Sequence, residues 1–146
     1  MISDHFSLEE VQHTDTGLEN ELPPEYAKNA IRLAEEVLEP WRVLVGPLHV
    51  NSWFRSKAVN KAVGGEIFSA HMEARAADVV PNGDIVSAFK MLLASDIPFD
   101  KAILERHTSA WVHVQVNVDG QQPRRHALIG NMEGGRMVYW GFDANA

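Results

Sequence analysis

Hydrophobic residues change their spacing along this chain of 146 residues, and the change restricts the folds available to it. After Pro23 and Pro24, apolar residues recur three or four positions apart, which predicts an amphipathic helix. Residues 99–105 and 111–118 are instead predicted to be two strands of an antiparallel hairpin. Helices followed by hairpin-linked strands predict an α+β domain, with an antiparallel sheet and helices packed mainly on one face. The apolar helix residues are Ala27, Ile31, Ala34, Leu38 and Trp41.

Shorter signals locate the remaining elements. Ser7 and Glu10 have the spacing of a capping box, which predicts a short helix immediately after Ser7. Ser56 is expected to cap a second short helix, and Asn82 or Asp84 to cap a longer amphipathic one. Further strands are expected at residues 48–53, 76–80, 126–129 and 136–140.

Composition excludes several classes of protein. The net charge of −7 argues against nucleic acid as a partner, because phosphate binding needs clustered lysine and arginine. The chain has no cysteine, so neither a disulfide nor a thiolate metal site can form. The sequence has neither a signal-peptide pattern nor an apolar run long enough to span a membrane. We therefore expect residues 1–146 to form a single globular domain, monomeric and not bound to a membrane.

Two histidines and one aspartate could form a metal site. Asp78 lies in the apolar run 76–80, where a lone carboxylate is costly to bury unless it is paired or binds a metal. His71 precedes this strand, and His113 alternates with valines in the strand after Trp111. Three such ligands leave a fourth zinc position open for water, as in catalytic sites. Spacing alone leaves alternatives open, since either histidine could be structural.

Asp78 also has alternatives. Its carboxylate could cap a turn, or it could pair with Arg55 or Arg75 without any metal.

The order and spacing of several motifs resemble the M15 zinc peptidases, which are D-Ala-D-Ala carboxypeptidases and phage peptidoglycan endopeptidases. The resemblance spans about residues 6–117 and follows the family pattern S-x-H, six residues, D, and a distal W-x-H. It implies a hedgehog or D-Ala-D-Ala peptidase-like fold. The matching motifs are Phe6 to Glu10, Ser52 to Ser56, Val59 to Gly65, Ser69 to His71, Ala76 to Asp78, Phe99 to Glu105 and Trp111 to Val114.

The resemblance implies roles for individual residues. His71, Asp78 and His113 match the zinc ligands. Arg55 matches a family arginine near the metal, where a guanidinium can hold a peptide carboxylate or polarise a carbonyl. Ser69 matches the serine before the first ligand, where it would orient His71, contact substrate or cap the loop. Trp111 is expected to line the substrate groove; Trp53 and Phe54 could line it as well, although packing in the core is expected for at least one of the three.

The sequence departs from the family pattern at two positions. Ala74 stands where many relatives have glycine, which predicts a different turn in this loop. Ala110 stands where many relatives have the acidic general base. We expect Glu105 to replace it, because a hairpin of 101–106 with 111–117 would bring Glu105 near the strand end that leads to His113. Asp100 is the alternative base, and His107 could donate a proton, bind substrate or be a solvated turn residue.

The resemblance implies a zinc metallopeptidase that hydrolyses peptide bonds in the stem or cross-bridge of bacterial peptidoglycan, as a carboxypeptidase or an endopeptidase. Ala110 supports an alternative, a non-catalytic zinc-containing module that binds the cell wall or belongs to a phage tail. The expected place of action is the cell wall, reached by release from a phage-infected cell, as an endolysin is, or after removal of a leader.

Overall fold

A computed structural model describes residues 1–142 of the chain, apart from the side chain of Phe142. Residues 1–142 contain five α-helices and six strands; three helices precede the first strand, and the last four elements are all strands. The helices are α1 (Leu8–Gln12), α2 (Ala27–Leu33), α3 (Glu39–Val45), α4 (Lys57–Ala62) and α5 (Ile85–Ala94). The strands are β1 (Leu48–Ser52), β2 (Ala76–Pro81), β3 (Lys101–Arg106), β4 (Ala110–Gln115), β5 (His126–Glu133) and β6 (Arg136–Phe142).

The helix predicted after Pro23 and Pro24 is present, but it is not uniform. It begins with a 3-10 turn at Pro24–Tyr26 and contains a π turn, Ala34–Leu38, between α2 and α3. Pro40 explains the π turn, because proline has no N–H and its ring collides with the carbonyl four residues earlier in an α-helix. The wider π turn directly before Pro40 makes room for the ring.

Three helix caps agree with the sequence prediction. Ser7 and Glu10 form a reciprocal capping box at the start of α1. The Ser56 hydroxyl accepts from the Val59 N–H at the start of α4. At the start of α5 the cap is Asp84.

The six strands form one mixed sheet in the order β1-β2-β4-β3-β5-β6. The predicted α+β architecture is confirmed, but the sheet is mixed rather than antiparallel as expected, because β3 and β5 pair in parallel, with Lys101 opposite His126. The reason is the connection 116–125. This segment leaves the end of β4, which lies beside the start of β3. It then crosses to the other side of β3 and begins β5 at the same end of that strand. A strand that skips one neighbour in this way runs antiparallel to β4 and therefore parallel to β3.

Alternate residues of the central strands face opposite sides of the sheet. Buried apolar residues on one side join a core cluster with residues of the helices. The other side contains Asp78, His113 and Glu105, which line an open cleft. The strand residues of the core cluster include Val79, Ala102, Leu104, Val112 and Val114, and the helix residues include Leu33, Val37, Trp41, Phe89 and Leu92.

None of the helices in residues 1–142 is long and apolar enough to cross a bilayer.

Candidate metal centre and active site

The three residues predicted to bind metal lie together. Asp78 on β2 is directly opposite His113 on β4, so both side chains are on the same face of the sheet. His71 belongs to the 3-10 turn Ala70–Glu73 immediately before β2. One potential ligand atom from each residue lies within 4.8 Å of the other two. This spacing is compatible with a single metal ion bound by all three.

The ring of His71 is oriented by the backbone. Its Nδ1 lies 2.7 Å from the Trp53 carbonyl oxygen. Because a carbonyl can only accept, Nδ1 carries the proton and Nε2 keeps its lone pair. That Nε2 faces Asp78, with 3.4 Å between it and Oδ2. His71 is only 3% exposed, so its ring has little freedom to turn away.

The turn that holds His71 is shaped by Ser69 and Ala74. The Ser69 hydroxyl caps the turn by accepting from the His71 N–H at 3.2 Å. Ala74 ends the turn with φ 58°, a left-handed conformation that glycine adopts at lower cost. Alanine at residue 74 thus adopts a backbone conformation that glycine favours.

His113 is oriented by a glutamine that the sequence analysis did not identify. Its Nδ1 lies 3.1 Å from Asp78 Oδ1, and its Nε2 lies 2.9 Å from Gln115 Oε1. The Gln115 amide in turn donates to Asp100 Oδ2 at 3.4 Å, which sets its oxygen toward His113. Arg124 holds Asp100 through contacts of 2.7 and 3.0 Å. With Nε2–H donated to Gln115, Nδ1 is the ring nitrogen that faces Asp78, and loss of its proton would free a lone pair there for a metal.

The charges of this group favour a metal. Burial opposes ionisation of Asp78, but the neighbouring His71 and the hydrogen bond from His113 outweigh it and lower the pKa of Asp78 well below its usual range. Burial lowers the pKa of His71. Burial also favours the neutral form of His113, but the hydrogen bond to Asp78 and the negative charge of Asp78 together outweigh burial and raise the pKa of His113. Asp78 is thus an anion and His71 neutral near pH 7, the forms in which both bind metals.

We expect zinc affinity to fall as the pH drops toward 6, with His113 as the main cause. A raised pKa means that His113 holds its proton at a higher pH than an ordinary histidine, and that proton competes with the metal. Competition titrations with a fluorescent chelator at pH 8, 7 and 6 measure the effect. An affinity that does not change over this range would contradict it.

Gln115→Leu is expected to weaken zinc binding by about 10- to 100-fold, because loss of the partner of His113 Nε2 frees the ring to rotate. The same chelator competition measures it, with Gln121→Leu, on an exposed turn, as the matched control. An unchanged zinc affinity in Gln115→Leu would show that this contact does not orient the ligand.

Arg55 lies at the edge of the same group. Its Nη2 is 3.2 Å from Asp78 Oδ2, and its Nε donates to Ser52 Oγ at 3.1 Å. The pairing of Asp78 with Arg55, which the sequence left open, is therefore present together with the metal-compatible geometry. Arg75 does not take part, since its Nε contacts Glu73 at 2.8 Å.

The metal group opens into a cleft of about 570 Å³, and Glu105 lies on its wall. The predicted β3–β4 hairpin is present and places Glu105 opposite Trp111, whose Nε1–H donates to Oε2 at 2.7 Å. A second donor, the Tyr139 hydroxyl, contacts Oε1 at 3.0 Å. Both carboxylate oxygens thus have a hydrogen-bond donor. Sequence spacing gave no signal for Tyr139, which lies on β6.

The other candidate side chains are divided between the cleft and the core. Trp111 and His107 line the cleft, and their ring centroids are 4.6 Å apart. Trp53 is fully buried in the core, where its Nε1–H donates to the Ala74 carbonyl. Asp100, the alternative base, is bound to Arg124 and Gln115 and is not among the residues that line the cleft.

A second cavity of about 890 Å³ adjoins the cleft and shares Arg55 and Ser69 with it. Its wall contains the apolar rings of Tyr26 and Phe54 and the side chain of Lys57. The two cavities are therefore neighbours along the side of the metal group that Arg55 and Ser69 border.

A buried His-Asp-His group beside a carboxylate in an open cleft is the arrangement of a mononuclear metallohydrolase. The chain belongs to the M15 peptidases, since the model of the family described as Peptidase M15 matches residues 4–115. This match covers all three candidate ligands and Glu105, and it ends at Gln115, before β5. No curated protein matches the chain.

Proposed function

We propose that this chain is a zinc metallopeptidase that hydrolyses peptide bonds of bacterial peptidoglycan, as a carboxypeptidase or an endopeptidase. The observation that carries the proposal is the His71, Asp78 and His113 group, with donor atoms within 4.8 Å of one another, in the same cleft as Glu105. We further propose that residues 1–146 are one domain, that it acts as a monomer, and that its helices pack mainly on one face of the sheet, as in the hedgehog and D-Ala-D-Ala peptidase fold.

The donor set fits zinc. His71 Nε2, His113 Nδ1 and a carboxylate oxygen of Asp78 would hold the ion, because the other nitrogen of each ring already has a protein partner. Zinc bound there would lower the pKa of a coordinated water to about 7 and polarise the substrate carbonyl.

Glu105 is proposed as the general base, because it lines the same cleft as the candidate metal ligands. Its carboxylate accepts a proton from the attacking water as the new C–O bond forms, and then gives that proton to the leaving amine as the C–N bond breaks. Trp111 and Tyr139 each occupy one lone pair of the carboxylate oxygens, and further lone pairs remain for the water. No covalent intermediate is needed.

Arg55 is proposed to bind substrate and to stabilise the charge that develops on the carbonyl oxygen. Its guanidinium keeps several N–H groups beyond those used by Ser52 and Asp78. Ser69, which lines both the cleft and the second cavity, and Trp111, which lines the cleft, are proposed to contact the peptide. Lys57 and Lys61 on the cavity wall would attract the carboxylates of a peptidoglycan stem.

Digestion of purified peptidoglycan followed by mass analysis of the muropeptides tests the proposal. A carboxypeptidase would shorten stems by one terminal residue, whereas an endopeptidase would reduce cross-linked dimers or cut within the stem. Cleavage should stop with a chelator and return with added zinc. Stoichiometric zinc binding without any cleavage would instead favour the non-catalytic cell-wall module.

A further inference from the structure

We propose that Tyr139 is a positioning residue for Glu105, and that the C-terminal hairpin of β5 and β6 therefore completes the active site. The inference rests on the proposed function, because it assigns Tyr139 a role through the general base. It concerns a part of the chain beyond residue 115, where the family match ends.

Strand register places Tyr139 in line with Glu105. Glu105 on β3 is opposite Gly130 on β5, and Gly130 is opposite Tyr139 on β6. The three residues form one row across the sheet and share the face that contains the metal group. Tyr139 must therefore extend across the width of β5 to reach Glu105, which it does with a 3.0 Å contact from its hydroxyl to Oε1.

Gly130 makes this reach possible. A Cβ atom at residue 130 would lie 2.6 Å from Tyr139 Cε1 and 2.8 Å from Cδ1, closer than real Cβ contacts. The backbone does not demand glycine here, because Gly130 is not among the glycines with positive φ. The space above β5 is therefore occupied by the tyrosine ring, and a side chain at residue 130 would force that ring to shift.

The chemistry of the contact suits a general base. Burial, followed by the charge of Glu105, raises the pKa of Tyr139 to about 12, so its hydroxyl stays protonated near pH 7 and donates. Trp111 donates to the other carboxylate oxygen. A carboxylate held at both oxygens loses rotational freedom and keeps one orientation toward the cleft. Leu128 and Met137 of the same hairpin also line the cleft.

Steady-state kinetics of Tyr139→Phe on a peptidoglycan stem peptide test the inference. We expect kcat to fall about tenfold while KM and zinc affinity stay within about twofold, because the hydroxyl acts on the base alone. Gly130→Ala should give a similar loss by displacing the ring. Trp140→Phe, at the next residue of β6 and on the other face, is the matched control and should keep the wild-type kcat.

A double-mutant comparison separates positioning from a general structural effect. In a Glu105→Gln background, Tyr139→Phe should cause no further loss, because the group that it positions is gone. A further tenfold loss there, or a wild-type kcat in Tyr139→Phe alone, would overturn the inference. These results differ from failure of the proposed function, in which the wild type cleaves nothing or Glu105→Gln stays fully active.

A spectroscopic measurement requires neither zinc nor turnover. The chain has two tyrosines, so in Tyr26→Phe the absorbance change near 295 nm reports Tyr139 alone. The absorbance is read within milliseconds of a pH jump. The ionisation midpoint of Tyr139 should lie near pH 12, and it should fall when Glu105→Gln removes the adjacent negative charge. An identical midpoint in the two proteins would overturn the contact on which the inference depends.

Discussion

Glu105→Gln is expected to lower kcat about 1,000-fold while zinc remains bound at wild-type affinity. A positioned general base contributes roughly 100- to 10,000-fold to catalysis, and glutamine keeps the shape of the side chain but cannot accept the proton. Glutamine keeps one acceptor oxygen, which can serve Trp111, and the Tyr139 hydroxyl can turn to accept from the new NH2 group, so the cleft should stay intact. Muropeptide release per minute measures the effect, and zinc content is measured on the same sample.

The matched control is Glu35→Gln, an exposed glutamate of the π turn with no role at the cleft. It should keep wild-type activity. Activity in Glu105→Gln at the level of this control would show that another group takes the proton from water. Activity that falls together with zinc content would mean that Glu105 supports the metal rather than the base step.

Asp78→Asn is expected to weaken zinc binding at least about 100-fold and to abolish peptidoglycan cleavage. Asp78 is the only anion of the ligand group, and it contacts His71, His113 and Arg55. Asparagine is nearly the same size but neutral, so the two imidazoles would have to hold a dication without a balancing charge. Zinc content after dialysis and chelator competition measure the loss.

Asp96→Asn, an exposed aspartate in the turn after α5, is the matched control. It should bind zinc as the wild type does. Retention of wild-type zinc affinity in Asp78→Asn would place the metal elsewhere and would remove the main support for the proposed function. Thermal unfolding of both metal-free variants distinguishes loss of ligand from loss of fold.

Local signals in the sequence predicted local structure well. The caps at Ser7 and Ser56 act through hydrogen bonds that span only three residues, so the residue types alone specify them. The apolar run around Asp78 likewise predicted a buried strand with one costly carboxylate. The three candidate ligands came from these patterns together with the family resemblance, and the structure brings them together.

Features that depend on distant parts of the chain were not predictable in the same way. The parallel pairing of β5 depends on how segment 116–125 passes β3, and the alternation of residues within β5 contains no information about its neighbour. Tyr139 and Glu105 are 34 residues apart, and only the strand order places them in one row. Gln115 was accessible in principle, since residues two apart in a strand share a face, and it follows His113 by two.

The strand order separates the metal group from one wall of the cleft. Asp78 and His113 lie on β2 and β4, which have strands on both sides, whereas β6 is an edge strand held by β5 alone. Substitutions in β6 can therefore reshape the mouth of the cleft without moving a ligand. For the proposed peptidase, the residues of the C-terminal hairpin other than Gly130 and Tyr139 are therefore the natural place to alter substrate specificity while the metal group stays unchanged.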